Sequence, residues 1–316
     1  MDREQVMGSI ALKKRFSKDC KLPIAIYDNP YFYERLCTLD VIFDCVDKFE
    51  DFCCELQSFK DEGAYFEYYN LIKDQVVTYI RNQEAFDVFN NKEVFPNIDK
   101  MYPKHNLYID ENDGRTFISI DMRKANFSAL NYYSGEIFNN CASWEEFIRM
   151  FTDSEHIVRS KYFRQVVFGS CNPKRQVRYE KNLMHDLLSY ISEAVDDELS
   201  VFSLDADEII LNVENYQFSM RALREIVSET PIGHLVKITI FDLNRIKGTN
   251  GWMKTFYNFD KESAADDVVE FKCLDAEIYH QVVKHYYNEV ITDDDLVFYH
   301  NGKLAKFLEE VKNPWA

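Results

Sequence analysis

Two short apolar runs, residues 199–204 and 208–213, face each other across the turn Asp205-Ala206-Asp207. Runs of this length, rich in Val, Ile, Leu and Phe and parted by small and acidic residues, read as two strands of a hairpin. Glu208 opens the second run, so three acids fall within four positions, beside Phe202, Leu204, Ile209, Ile210 and Leu211. Like charges crowded among apolar side chains are costly unless a cation relieves them. The hairpin thus requires a sheet to bury its apolar side chains and some counter-charge for its acids.

A partner strand lies upstream. Thr116-Phe117-Ile118-Ser119-Ile120 alternates and is β-branched, which predicts a strand ending at Asp121. Helical character follows from 124 to 132, and Ser143 with Glu146 marks a capping-box helix start. A helix is expected from about 154 to 168, an interruption from Gly169 to Pro173, and a helix over 174–195 with Leu183, Leu187, Leu188 and Ile191 on one face. After the hairpin come a helix over 217–228 and a strand over 234–241. The order βαββαβ is the split-βαβ arrangement of ferredoxin-like domains. In such a sheet the first strand and the hairpin are neighbours, so Asp121 and Asp207 meet although 86 positions apart.

The flanks differ. From 46 to 81 apolar residues recur at three- and four-residue steps, among them Phe49, Phe52, Leu56, Tyr65, Tyr69, Ile72, Val76 and Ile80, so residues 1–105 read as mainly helical, closed by a turn-rich stretch over 96–103. Residues 246–316 hold a strand near 252–257 and a helix near 276–290. The expected fold class is α+β: a helical region over 1–105, a catalytic core over 106–245 that includes a basic helical stretch over 154–195, and a small α/β region over 246–316. Trp252 and Tyr257 are expected to pack, and Asp293-Asp294-Asp295 to form a solvated turn or helix start.

The net charge of −17 repels phosphate backbones over most of the surface, so any phosphate-handling site must be a local exception. Residues 159–181 supply one: Arg159, Lys161, Arg164, Lys174, Arg175, Arg178 and Lys181 against the single acid Glu180. Arg164, Lys174 and Arg175 suit a triphosphate. Arg164 lies one helical turn before Phe168, a ring placed to pack on a base, and the break beginning at Gly169 lets a base or sugar approach the backbone. The eight cysteines form no CxxC pair and the histidines no metal-spaced cluster. No signal peptide is recognised, and no window approaches the ~20 apolar residues of a membrane helix. A soluble intracellular protein with its thiols mostly in the core is expected. Carboxylates meeting at a strand end suit Mg2+ or Mn2+, with Asp121, Asp205 and Asp207 as ligands; two such ions about 4 Å apart would serve an in-line phosphoryl displacement.

These motifs resemble a known group. Leu204-Asp205-Ala206-Asp207-Glu208-Ile209-Ile210-Leu211 resembles motif C of family A DNA polymerases and single-subunit phage RNA polymerases, Ile118-Ser119-Ile120-Asp121 resembles motif A, and Arg164-Gln165-Val166-Val167-Phe168-Gly169 is similar to motif B on the fingers helix. The order A, B, C is kept over residues 116–214, with short spacings like those of reverse transcriptases. The resemblance implies a polymerase palm in which Asp121 and Asp207 hold the metals, Glu208 is an accessory acid near the primer terminus, Arg164 contacts the triphosphate and Phe168 stacks near the nascent pair. Asn126 and Phe127 fall where sugar-selecting residues sit. It implies nucleoside triphosphate and a DNA or RNA primer-template as partners. With no large thumb or exonuclease region, other subunits of a replication or transcription assembly are further expected partners. Asp121-Met122-Arg123 with the later Asp-Glu hairpin is also similar to tRNA-His guanylyltransferases and nucleotide cyclases, which share the palm. A non-catalytic palm-like scaffold is the remaining alternative.

Overall fold

A computed structural model of the chain describes residues 1–91, 101–195, 200–213, 220–257 and 268–315. Parts of three expected elements lie outside these residues: 96–100 of the turn-rich stretch, 199 of the first hairpin strand and 217–219 of the helix after the hairpin.

The helical periodicity of the first ninety residues resolves into α1 (Arg3–Gly8), α2 (Ile10–Asp19), α3 (Tyr31–Phe43), α4 (Val46–Leu56), α5 (Glu62–Arg81) and α6 (Glu84–Asn91). Their boundaries follow local chemistry. Asp61, for example, accepts the Ala64 amide at 2.9 Å and starts α5. Next come β1 (Arg115–Met122), α7 (Ala125–Tyr133), α8 (Trp144–Ile148), α9 (Glu155–Arg159), α10 (Lys161–Gly169) and α11 (Pro173–Ala194). The helix expected over 154–168 is therefore two helices. Ser160 divides them, its hydroxyl accepting the Phe163 amide at 2.8 Å and donating to Asp19 at 2.8 Å. The hairpin is β2 (Val201–Leu204) and β3 (Glu208–Asn212), followed by α12 (Met220–Ser228), β4 (Val236–Arg245), β5 (Trp252–Phe256), β6 (Val268–Lys272), α13 (Tyr279–Tyr286), β7 (Val297–His300) and β8 (Lys303–Lys306).

The fold is α+β. Six strands form one sheet in the order β2-β3-β1-β4-β5-β6, and every neighbouring pair is antiparallel. β1 sits between β3 and β4, with Ile120 opposite Ile209 on one side and Ile238 on the other. β6 and the β7–β8 hairpin were not expected from sequence. The hairpin turns at Asn301-Gly302, both at positive φ (50° and 77°), as a two-residue turn requires.

The strands' period of two splits the sheet chemically. On one face Ile118, Ile120, Ile209 and Leu211 pack with Leu183, Leu187, Leu188 and Ile191 of α11 and Leu223 and Val227 of α12. On the other, Phe117, Phe202, Ile210, Phe241, Leu243 and Trp252 form a smaller apolar cluster under Leu107. The N-terminal helices share one core with α7–α10 and α13, running from Phe16, Phe49 and Ile72 through Phe138 and Trp144 to Val282. No described helix is long and apolar enough to cross a membrane.

Two lesser expectations change. Asp295 is not solvated: it is 1% exposed and binds Arg35 at 3.0 Å and Lys284 at 2.7 Å. Arg35 of α3, 260 residues away, and Lys284 of α13, 11 residues away, make burial of its charge tolerable. The thiols divide evenly between depth and surface, with Cys45, Cys53 and Cys141 buried and Cys37, Cys54 and Cys273 exposed. Trp252 packs as expected, 3% exposed.

Candidate active site

Alternation along β1 puts Phe117, Ser119 and Asp121 on the face away from α11 and α12. Phe117 joins the small apolar cluster, while Ser119 and Asp121 line a cavity of about 610 Å³. Antiparallel pairing sets Asp121 opposite Glu208, and the Ser119 hydroxyl donates to the Glu208 carboxylate at 2.6 Å. The hairpin turn closes with the Asp205 amide on the Glu208 carbonyl at 2.9 Å, and the Met122 amide donates to the Asp207 carbonyl at 2.9 Å. Backbone hydrogen bonds thus fix the end of β1 against the acidic turn.

The electrostatics follow from that crowding. Asp121 opens to the cavity yet is walled by protein, and its pKa rises to about 6, first through burial and then through the charges of Glu208 and Asp207. Asp207 is also raised, by burial and then by Glu208 and Asp205, against a hydrogen bond from its own amide. Glu180 of α11, which the sequence offered only as the exception in a basic stretch, is 6% exposed; burial and then Asp207 lift it to about 7. Among the described residues no Lys or Arg lies within ion-pair distance of Asp121 or Asp207. Asp205 differs: Lys104 binds its carboxylate at 2.6 Å and holds its pKa down. Asp205, expected as a third ligand, is thus engaged by a lysine and, like Asp207, does not line the cavity. The charge of Asp207 still reaches Asp121.

The cavity also carries cations, of which only Lys161 belongs to the basic stretch that the sequence singled out for phosphate. Lys161, Arg224, Lys237, Lys254 and Lys272 line it, against Asp121, Glu208 and Glu270. In a chain of net charge −17 this wall has an excess of positive charge. Parity along the strands was the available signal: Ser119 shares a face with Asp121, and Lys254 shares one with Trp252.

The residues expected at the substrate are elsewhere. Phe168 is 2% exposed, its ring 5.3 Å from Trp144; Phe127 is 4% exposed and lies 4.8 Å from Phe138. Both are core side chains, because the faces of α7 and α10 that carry them turn toward the N-terminal helices. Arg164 is buried on the same face of α10, and its Nε has no hydrogen-bond partner; burial lowers its pKa, against Glu145. Arg175 donates to the Phe89 carbonyl and lies over the Phe89 ring, tying α11 to α6. Lys174 is exposed. Asn126 is half-buried and accepts the Phe127 amide at 3.1 Å. Gly169 ends α10, and a Cβ there would meet nothing within 4 Å, so no close approach demands glycine. Of the basic stretch 159–181, only Lys161 reaches the cavity wall.

Among the described residues no three His, Cys, Asp or Glu side chains converge as a complete metal-ligand set. The donors present still suit a hard divalent cation. Asp121 and Asp207 have raised pKa values and, among the described residues, no ion-pair partner, and Mg2+ commonly takes only one or two such groups, completing its shell with water and substrate phosphate. Compared with known proteins, the chain matches no family model, no curated protein and no solved structure.

Proposed function

We propose that this protein is a metal-dependent nucleotidyltransferase of palm type, adding nucleotides to a 3′-hydroxyl under the direction of a DNA or RNA template. The observation that carries this reading is the junction of β1 with the hairpin turn: Asp121 and Glu208 paired across strands, and Asp207 held to Met122 through the backbone. The all-antiparallel order β2-β3-β1-β4 supports a ferredoxin-like palm, in which two split βαβ units interleave around the first strand.

Asp121 and Asp207 are the proposed ligands of Mg2+ or Mn2+. When bound, the ion lowers the pKa of the attacking hydroxyl and neutralises triphosphate charge. The chain's own residues do the rest. Ser119 fixes the Glu208 carboxylate beside the reacting end. Lys161, Lys237 and Arg224 bring positive charge to phosphate oxygens in a cavity with protein on most sides, where such charge acts more strongly than in open water. With Asp121 at about 6, its carboxylate is mostly ionised at neutral pH and ready to accept a cation.

The test is incorporation. Purified protein with nucleoside triphosphates and Mg2+ or Mn2+ is expected to extend a primed template, and product masses separate extension from single addition or cyclisation. No product on primed, unprimed and single-stranded templates would refute the enzymatic reading. A non-catalytic palm-like scaffold is the second reading, favoured by the incomplete ligand set among the described residues; it predicts a melting temperature unmoved by metal plus triphosphate.

A further inference from the structure

β5 carries a lysine where the open face of the sheet changes from apolar to polar. Lys254 is 6% exposed. Its ammonium lies 4.3 Å from the Phe241 ring centroid and 5.8 Å from that of Tyr108, and it lines the cavity that holds Asp121 and Glu208. Among the described residues no carboxylate comes within ion-pair distance of it. Glu270, its cross-strand neighbour on β6, binds Lys272 at 2.7 Å, and Glu208 is held by Ser119. Burying an ammonium without a close anion is costly. The two aromatic faces offset part of that cost, and the rest of the charge looks into the cavity.

We propose that Lys254 forms the floor of an anion subsite that takes a phosphodiester group of the nucleic-acid strand being extended. The identity of the ligand rests on the nucleotidyl-transfer reading. Position argues for the strand rather than the nucleotide. Lys254 rises from the strand position opposite Leu243 and reaches back over Phe241, where the charge of Glu208 acts on it more strongly than that of Asp121, so it sits on the Glu208 side of the centre, the side proposed for the strand's reacting end. A triphosphate engaged near Asp121 meets Lys161 first, the cation that acts most strongly on that carboxylate. The phosphate at Lys254 then belongs to a nucleotide already joined to the strand. A lysine contacts it as a point charge, positioning the strand without reading its bases.

The experiment measures fluorescence anisotropy of labelled primed oligonucleotides, DNA and RNA, with wild-type protein, K254M and K254R, beside the nucleotide KM of each. K254M is expected to bind the strand about tenfold more weakly, with a salt-dependence slope smaller by about one phosphate contact. Its nucleotide KM should stay within about twofold, since uniform strand binding alone is lost. K254R should retain most of the affinity. The K254M melting temperature should be equal or higher, because an unpaired buried charge has been removed; if K254M folds poorly, K254Q gives the same readout. Unchanged strand affinity in K254M overturns the subsite, and so does a loss confined to the nucleotide KM, which would place the nucleotide's own phosphates there. Wild-type protein that binds neither strand nor nucleotide would instead fell the nucleotidyl-transfer reading, and the subsite with it.

Discussion

The Met122 amide donates to the Asp207 carbonyl at 2.9 Å, joining the end of β1 to the turn between β2 and β3. This bond is made by backbone and survives side-chain substitution, so the two carboxylates can be tested without dismantling the fold. Asp121→Asn and Asp207→Asn are each expected to lower kcat by at least about a thousandfold, since each would remove a metal contact worth several kcal/mol of transition-state charge stabilisation. Melting temperature at pH 8 without metal should hold or rise, because like-charge crowding is relieved. A variant that keeps near-wild-type turnover removes that residue from the site.

Stability should depend on pH with a sign opposite to that of a salt-bridged protein. Asp121 at about 6 and Glu180 at about 7 bind protons more tightly folded than unfolded. Their contribution therefore falls as pH rises from roughly 4 to 7, because over that window the folded chain holds more protons. Glu180→Gln is expected to stabilise at pH 8 by roughly 1–3 kcal/mol and to be neutral near pH 4, where both states carry the proton. Urea titrations at the two pH values measure this. A destabilised E180Q at pH 8 would contradict it.

Phe168 separates packing from recognition. With its ring 2% exposed against Trp144 and Phe138, Phe168→Ala should cost about 3–5 kcal/mol of stability. The nucleotide KM of the folded fraction should not change. A stable variant with a raised KM would return the ring to the substrate.

Ser119 is a positioning residue, acting through Glu208 at 2.6 Å. Ser119→Ala should leave nucleotide KM near wild type while kcat falls, by about 10- to 100-fold if the carboxylate drifts by as much as 1 Å. Ser119→Thr, which keeps the hydroxyl, should recover part of the rate. Loss of stability with no change in kcat would mark the bond as structural only.

Much of the sheet was legible because period-two patterning over 116–121 and 199–213 is local information. The expected meeting of 121 with the hairpin rested on element order alone, and the register of β1 with β3 places Asp121 beside Glu208. What could not be read was which charges share a surface. The cations of 159–181 are contiguous in sequence, but helical rotation of about 100° per residue spreads them, so that Arg164 is buried, Arg175 binds the α6 backbone and Lys161 alone meets the cavity. The cavity's other cations, Arg224, Lys237, Lys254 and Lys272, come from four separate elements and form no cluster in one dimension. Phe168 and Phe127 misled for a related reason: an aromatic at helical spacing looks the same in sequence whether its face meets protein or ligand. The Asn301-Gly302 turn went unread because the flanking residues, such as Lys303 and Lys306, lack the apolar alternation that makes the signal count.

The most direct measurement is anomalous diffraction from crystals soaked with Mn2+ and a non-hydrolysable nucleoside triphosphate. A manganese peak between the Asp121 and Asp207 carboxylates, with phosphate oxygens completing its shell, is the expected result. A triphosphate bound away from both residues, or manganese held elsewhere with these two carboxylates unligated, would contradict the proposed centre.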